Sequence, residues 1–349
     1  MKILFLGETY RADAQTWIKG IEEASGCKID TAEIKTIRFK PIRAIQAFFF
    51  IFRLILGRYF GTKYDIVLAE RSTSYGFFSL FTNAKVKVVA QQGISDIFPN
   101  TFLSRAYKKF LQHLVYKRVD SVHAWGNAMV PAMLKSGANP AKIIVRPKGI
   151  DLTRFLFAQK KIDSNRAEIK AIVTRSLLPE YNHWVIIYAV AELKKRGLIV
   201  RLTIVGDGTL MQDLRDLSVQ LGVSEIIIFK GRIHNDDLPS LLSENELYIS
   251  TPITEGASSS LMEAMAVGLF PIVTKLPGNM SFIKHEKNGL LVSVGSVESL
   301  VEAILNYSKL NSEQFNEATN QNRNWINENG NREKNMQIFL AHYLTKIKV

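Results

Sequence analysis

The chain of 349 residues has a single cysteine, Cys27, and only six histidines. One thiol rules out a disulfide framework and any Cys-x-x-Cys zinc site. The histidines form no His-Glu-x-x-His or comparable cluster, so a structural metal is not expected. The opening Met1 to Gly7 is too short an apolar run for a signal peptide and lacks a cleavage site, so it reads as a first strand and a cytoplasmic setting follows as the default. Several ligand signatures are missing as well: a Walker loop, a Gly-x-Ser-x-Gly elbow and any Asp-x-Asp pair that would clamp a metal on a diphosphate. Gly206 and Gly208 begin a dinucleotide fingerprint, but Met211 stands where its third glycine belongs, which disfavours a nicotinamide nucleotide.

What is present begins with size and charge. With 47% apolar residues the chain can bury a large core, and its length suggests two domains. The formal charge of +13 is unevenly spread: residues 1–150 carry 23 Lys/Arg against 10 Asp/Glu, whereas residues 151–349 carry 22 of each. A basic first half either faces something acidic, such as anionic lipid, a phosphorylated acceptor or nucleic acid, or is simply a solvated face. Nucleic acid is disfavoured, because no RNP, zinc-finger or helix-turn-helix signature accompanies the charge.

Short apolar runs at Lys2 to Gly7, Ile66 to Ala69, Val86 to Gln91 and Ser121 to Trp125 alternate with helical spacing, as in Phe102 to Val119. The second half repeats the pattern at Ala171 to Arg175, Arg201 to Gly206, Ile226 to Phe229, Leu247 to Ser250 and Phe270 to Thr274. This alternation predicts two α/β domains with mainly parallel sheets. The expected division is 1–155, 156–325 and a helical 326–349 that returns to the first domain, with the hinge at Pro147 to Asp151. The segment Arg38 to Phe60 mixes Phe and Ile with Arg38, Lys40, Arg43, Arg53 and Arg58. Its apolar stretch falls short of the ~20 residues of a membrane span. It reads as a helix in a membrane interface, as one buried inside the first domain, or as both along different faces.

The motif that organises the chain runs from Thr251 to Gly268. The strand-like Glu246 to Ser250 feeds a Gly/Ser-rich turn and a short helix, whose first N–H groups and dipole favour an anionic or hydroxyl-rich ligand. Glu255 precedes that helix and Glu263 lies one turn inside it. Ser260 and Glu263 also fit a capping box, so Glu263 has a purely local reading. Arg175 follows the strand from Ala171, at the sheet edge where open α/β folds bind ligands. Its guanidinium suits a diphosphate, and a surface pair with Glu180 is the alternative. After the strand at Val86, Asp96 reads either as a group that orients or deprotonates a hydroxyl, or as a cap. His123 reads as a core histidine.

In order and spacing, Arg175 to Asn182, Val205 to Gly208, Phe229-x-Gly231, Glu255 to Ser258 with Glu263 to Gly268, and Asn288 to Val292 together resemble the retaining nucleotide-sugar glycosyltransferases of group 1, often called family 4. The match covers roughly 145–295, and its specific part is the Glu-x7-Glu pair, Glu255 and Glu263. The resemblance implies two Rossmann-like domains facing a cleft, the GT-B arrangement, and a hexosyl-type transferase that needs no metal and no cofactor. It implies that Glu255 holds the donor sugar, Glu263 the ribose hydroxyls, and Arg175 the departing diphosphate. Gly206, Gly208, Gly256, Ser258 and Ser259 would contact sugar and phosphate, with Gly231, Arg232 and Ile233 against the base. The partners implied are a nucleotide sugar and a glycan or lipid-linked acceptor of cell-surface polysaccharide synthesis. From its own charge and apolar pattern, apart from the resemblance, Arg38 to Phe60 adds the expectation of an anionic membrane surface, at the inner face of the plasma membrane, if that helix is the interfacial one. Retention in such enzymes is ascribed to front-face attack, and a double displacement would make Glu255 the nucleophile. Two departures stand out. Tyr181-Asn182 replaces the usual Lys-Gly after Arg175, leaving Asn182 or a first-domain lysine to serve the diphosphate. The first loop has Gly7 and Thr9 where paired glycines are usual. The alternative function is a protein of this fold that binds a sugar nucleotide without transferring it.

Overall fold

The computed structural model describes residues 1–34, 40–94, 96, 102–164 and 166–347. Arg38 and Ser95 lie outside the described residues, and so do the side chains of Lys40 and Arg43. The described chain forms two units, Met1–Lys148 with Arg332–Val349, and Gly149–Asn331.

Unit 1 runs β1 (Ile3–Leu6), α1 (Ala12–Ser25), β2 (Ile29–Ala32), α2 (Lys40–Phe60), β3 (Tyr64–Glu70), α3 (Gly76–Ser79), β4 (Ala84–Ala90), α4 (Phe102–Arg118), β5 (Ser121–Ala124), α5 (Val130–Lys135) and β6 (Ile143–Val145). Its sheet has the order β2-β1-β3-β4-β5-β6, and every pairing is parallel. Parallel strands need covered faces, so the central ones have apolar, wholly buried runs: Ile66 to Ala69 of β3 and Val88 to Ala90 of β4. The first crossover runs one way along the sheet and the later ones the other. With right-handed connections this places α2, α3 and α4 together on one face.

Unit 2 runs β7 (Glu168–Thr174), α6 (His183–Lys195), β8 (Ile199–Val205), α7 (Met211–Gln220), β9 (Ile227–Gly231), α8 (Leu238–Ser243), β10 (Leu247–Ser250), α9 (Ser259–Val267), β11 (Phe270–Thr274), α10 (Pro277–Met280), β12 (Leu290–Val292), α11 (Val297–Ser308) and α12 (Ser312–Asn329). The sheet order is β12-β11-β10-β7-β8-β9, again all parallel. Alternation along β7 sends Ile169, Ala171 and Val173 into the core under α6 and α11, and Ile172 into the one under α8 and α9.

α13 (Arg332–Thr345) belongs to unit 1 and packs on α1 so closely that a Cβ on Gly20 would sit 2.4 Å from Met336. Buried beneath these helices are Trp17, Phe339 and Tyr343, and the Tyr343 hydroxyl lies 2.6 Å from Nε2 of His123. His123 is therefore a core residue, and burial lowers its pKa to about 3.

α2 has two faces. Phe50 is buried, edge-on to Tyr75 and Phe78 at 6.5 and 5.4 Å. Ile45, Phe48, Phe49, Phe52 and Leu56, at helical spacing, are exposed. No helix among the described residues is long and apolar enough to cross a membrane.

Candidate functional site

In unit 2 the strand order reverses between β7 and β10, and ligands of open parallel sheets bind beyond the carboxyl ends at such a reversal. Arg175 follows β7 and the Glu255 loop follows β10, so the sequence places one cation and one anion at this spot. They pair directly, both side chains almost buried, instead of Arg175 turning to Glu180. The ring of Tyr181 lies 4.9 Å from the guanidinium carbon, and the Arg175 Nε is buried without a hydrogen-bond partner. That leaves an unsatisfied, directional donor at the ligand-binding edge.

Backbone packing holds these groups. Gly206 has φ 143°, and a Cβ there would lie 2.1 Å from the Arg175 carbonyl oxygen; on Gly208 it would lie 2.3 Å from that of Leu177. The two glycines let the chain after β8 lie against the chain after β7, so their first task is internal. Gly231, with φ 67°, accepts the Gly206 N–H at 2.9 Å, which fastens the end of β9 to the same group. Arg232 next to it is exposed, and Ile233 packs on the apolar cluster under α9.

The Glu255 loop is braced from β11 by residues the motif reading did not single out. Thr274 donates its hydroxyl to the Pro252 carbonyl at 2.9 Å, and Asn279 donates to the Thr274 carbonyl at 2.8 Å. A Cβ on Gly278 would meet the Glu255 carbonyl oxygen at 2.3 Å. The Pro277-Gly278 pair was the signal in the sequence, since such dipeptides mark turns.

At α9 the structure corrects the sequence reading. The N-cap is Ser258, whose Oγ accepts the Leu261 N–H at 3.2 Å, so Ser260 lies inside the helix and forms no capping box with Glu263. Gly256 is buried, and Ser259 is exposed at the helix mouth. The Glu263 carboxyl, released from capping, keeps some surface but is crowded by protein. Loss of hydration raises its pKa to about 7, against the pull of Arg175 and Arg154. His183, at the start of α6, is buried with neither ring nitrogen paired; burial and Arg175 lower its pKa to about 4 and keep it neutral.

Asn182 has a left-handed backbone, φ 51° and ψ 46°, and its carbonyl accepts the Thr251 hydroxyl at 3.0 Å. Asparagine tolerates this conformation, which explains it at a position where the resembling family has glycine. Tyr181, in the place of the family's lysine, puts an aromatic face rather than a charge beside Arg175.

The remaining candidates lie in unit 1. Asp96 is buried, accepting Ser72 N–H at 2.7 Å and Ser72 Oγ at 2.8 Å on one oxygen and Gln92 N–H at 3.0 Å on the other. Burial raises its pKa, and its acceptors serve the chain's own loops. Thr9 donates both N–H and hydroxyl to Glu33 at 2.8 Å. Gly7 packs where a Cβ would be 2.5 Å from the Phe5 ring. Strand order in this sheet reverses between β1 and β3, and there Arg71, with φ 61°, makes a two-point contact with Glu8 at 3.1 and 2.6 Å.

Two units, each with a six-stranded parallel sheet and a strand reversal, have the architecture of the GT-B fold. Residues 155–328 match the model of the glycosyl transferases group 1, and the chain belongs to that family. An Escherichia coli UDP-Gal:alpha-D-GlcNAc-diphosphoundecaprenol alpha-1,3-galactosyltransferase is 27% identical over 177 residues, 48% of this chain and 45% of the relative. A putative colanic acid biosynthesis glycosyltransferase of the same species, WcaL, is 24% identical over 58% of this chain and 50% of its own. The chain thus spans about half the length of these curated relatives. Among solved structures, Anabaena HepE in complex with UDP-glucose covers 99% of both chains with a TM-score of 0.77 at 16% identity, a likeness of fold.

Proposed function

We propose that the protein is a retaining glycosyltransferase that moves a sugar from a nucleoside diphosphate to a glycan or lipid-linked acceptor. The observation that carries this reading is the Arg175–Glu255 pair at the strand reversal, with Glu263 one helical turn beyond. Without donor, the two charges neutralise each other. An arriving diphosphate competes for the guanidinium, and the buried Nε supplies a donor for one of its oxygens. Glu255 is then released to accept sugar hydroxyls and hold the anomeric carbon, while ionised Glu263 accepts the ribose hydroxyls. Arg175 stabilises the charge that grows on the departing phosphate, so the scheme calls on no metal. The relative that uses UDP-Gal and the fold neighbour that holds UDP-glucose make uridine donors the first to try.

In the same reading the acceptor is handled by unit 1, and the exposed stripe of α2 rests on the inner face of the plasma membrane, where lipid-linked acceptors are found. Measurement of sugar transfer decides the matter. Glu255→Gln and Glu263→Gln are expected to fold normally and lose at least ~100-fold in rate, the scale of removing a charged group from a site of developing charge. Unchanged transfer by both variants would sink the proposal. Tyr181 in place of a lysine favours a second reading, a binder that does not transfer. Nucleotide-sugar binding without turnover for a panel of acceptors would select it.

A further inference from the structure

Beneath α2 lies a cavity of about 340 Å³ that the donor chemistry does not use. It is lined by Asp30 and Thr31 of β2, Arg53 and Gly57 of α2, Tyr64 at the start of β3 and Asn83 ahead of β4. It therefore sits at the sheet edge where β3 and β4 begin, away from Glu8 and Arg71. Its volume falls within the range of small-molecule sites.

Its position relative to the exposed stripe is what matters. Phe49, Phe52 and Leu56 point outward, and Arg53 and Gly57, one residue further round the helix, stand on the flank. Arg53 has no hydrogen-bond or ion-pair partner among the described residues. On the same face of the sheet α4 exposes Tyr107 and Phe110, and neither α2 nor α4 contains an acidic residue. Apolar rings flanked by cations are what an anionic bilayer surface attracts. Inside the cavity the charges are mixed. Asp30 accepts a hydrogen bond from the Tyr64 hydroxyl at 3.1 Å and faces the same space as Arg53. A bare phosphate would gain Arg53 but be repelled by Asp30, and a choline headgroup has no N–H to give a carboxylate. A phosphoethanolamine headgroup satisfies both, with three ammonium donors.

We propose that this cavity seats the headgroup of a phosphatidylethanolamine, its phosphate on Arg53 and its ammonium on Asp30. The inference rests on the membrane reading above and adds a lipid preference to it.

The test uses the full chain and vesicles of phosphatidylcholine with a fixed fraction of phosphatidylglycerol, read by flotation. Replacing half of the phosphatidylcholine with phosphatidylethanolamine is expected to tighten binding several-fold. Gly57→Leu fills the cavity and favours the helix, because a Cβ at Gly57 has nothing within 4 Å. That variant and Asp30→Asn should keep the binding to phosphatidylglycerol and lose the gain from ethanolamine. If the gain is absent in the wild type, or persists in both variants as a general packing effect of the lipid, the headgroup site is refuted while the membrane reading stands. If no vesicle binds the chain, both fall.

Discussion

Burial holds the Glu263 carboxyl about half protonated at neutral pH, with Arg175 and Arg154 pulling towards ionisation. If its task is to accept ribose hydroxyls, the free protein is only half ready, and affinity for a nucleoside diphosphate should rise between pH 6 and 8 by up to roughly tenfold. Calorimetric titration of UDP into wild type and Glu263→Gln checks this, since the variant carries any titration of the nucleotide itself. Stability must change in the opposite sense. The folded pKa of about 7 lies above the unfolded value of 4.5, so the native state binds more protons across that window. Stability contributed by this group therefore falls as pH rises from 4.5 to 7, and the Gln variant should be flatter there. Arg175 and Glu255 could be placed from the sequence because they follow apolar strands beside serine and glycine, and Glu263 because the helix formers around it announce α9. Ser258 could not be placed as the cap. Which serine caps α9 depends on the path of the loop that leaves β10, and Thr274, Gly278 and Asn279, more than a dozen residues further on, brace that loop.

At the scale of elements, the cap assignment has a direct consequence. Ser258→Ala should cost about 1 kcal/mol of stability, whereas Ser260→Ala, inside the same helix, should be neutral or stabilising by about a few tenths, because alanine is the better helix former. Denaturant unfolding of the two variants distinguishes them. The strands that the apolar runs did not announce are β2, β6 and β12, each at the margin of its sheet. A marginal strand pairs on one side only, so β2 tolerates the polar Asp30 and Thr31, while β6 and β12, though apolar, are only 3 residues long and give too short a run to read. The central strands, buried on both faces, were readable as near-continuous apolar runs. α2 left two interpretations open because it has two apolar faces: Phe50 is buried in the core, and Phe48, Phe49 and Phe52 are exposed.

At the scale of the whole molecule, charge divides as the units do: the basic unit carries α2 and α4, and the near-neutral one carries the Arg175–Glu255 pair and the residues that match the group 1 family. Unit 1 is nevertheless discontinuous in sequence. Removing residues 332–349 would uncover Trp17 and Ile21 of α1 and delete Met336, Phe339 and Tyr343, each worth about 2 kcal/mol of burial. Such a truncation should melt unit 1 at a much lower temperature while unit 2 keeps its transition and its stabilisation by UDP, as followed by calorimetry. The same discontinuity bears on the order of events at the ribosome. Residues 149–331 can close their core as soon as they have emerged. The sheet translated first has to wait, with the α13 side of its α1 helix uncovered, until the segment beyond Asn331 is made. During that interval the earliest part of the protein is the least protected, and a chaperone that binds exposed apolar helices would find its target near the amino terminus rather than at the growing end.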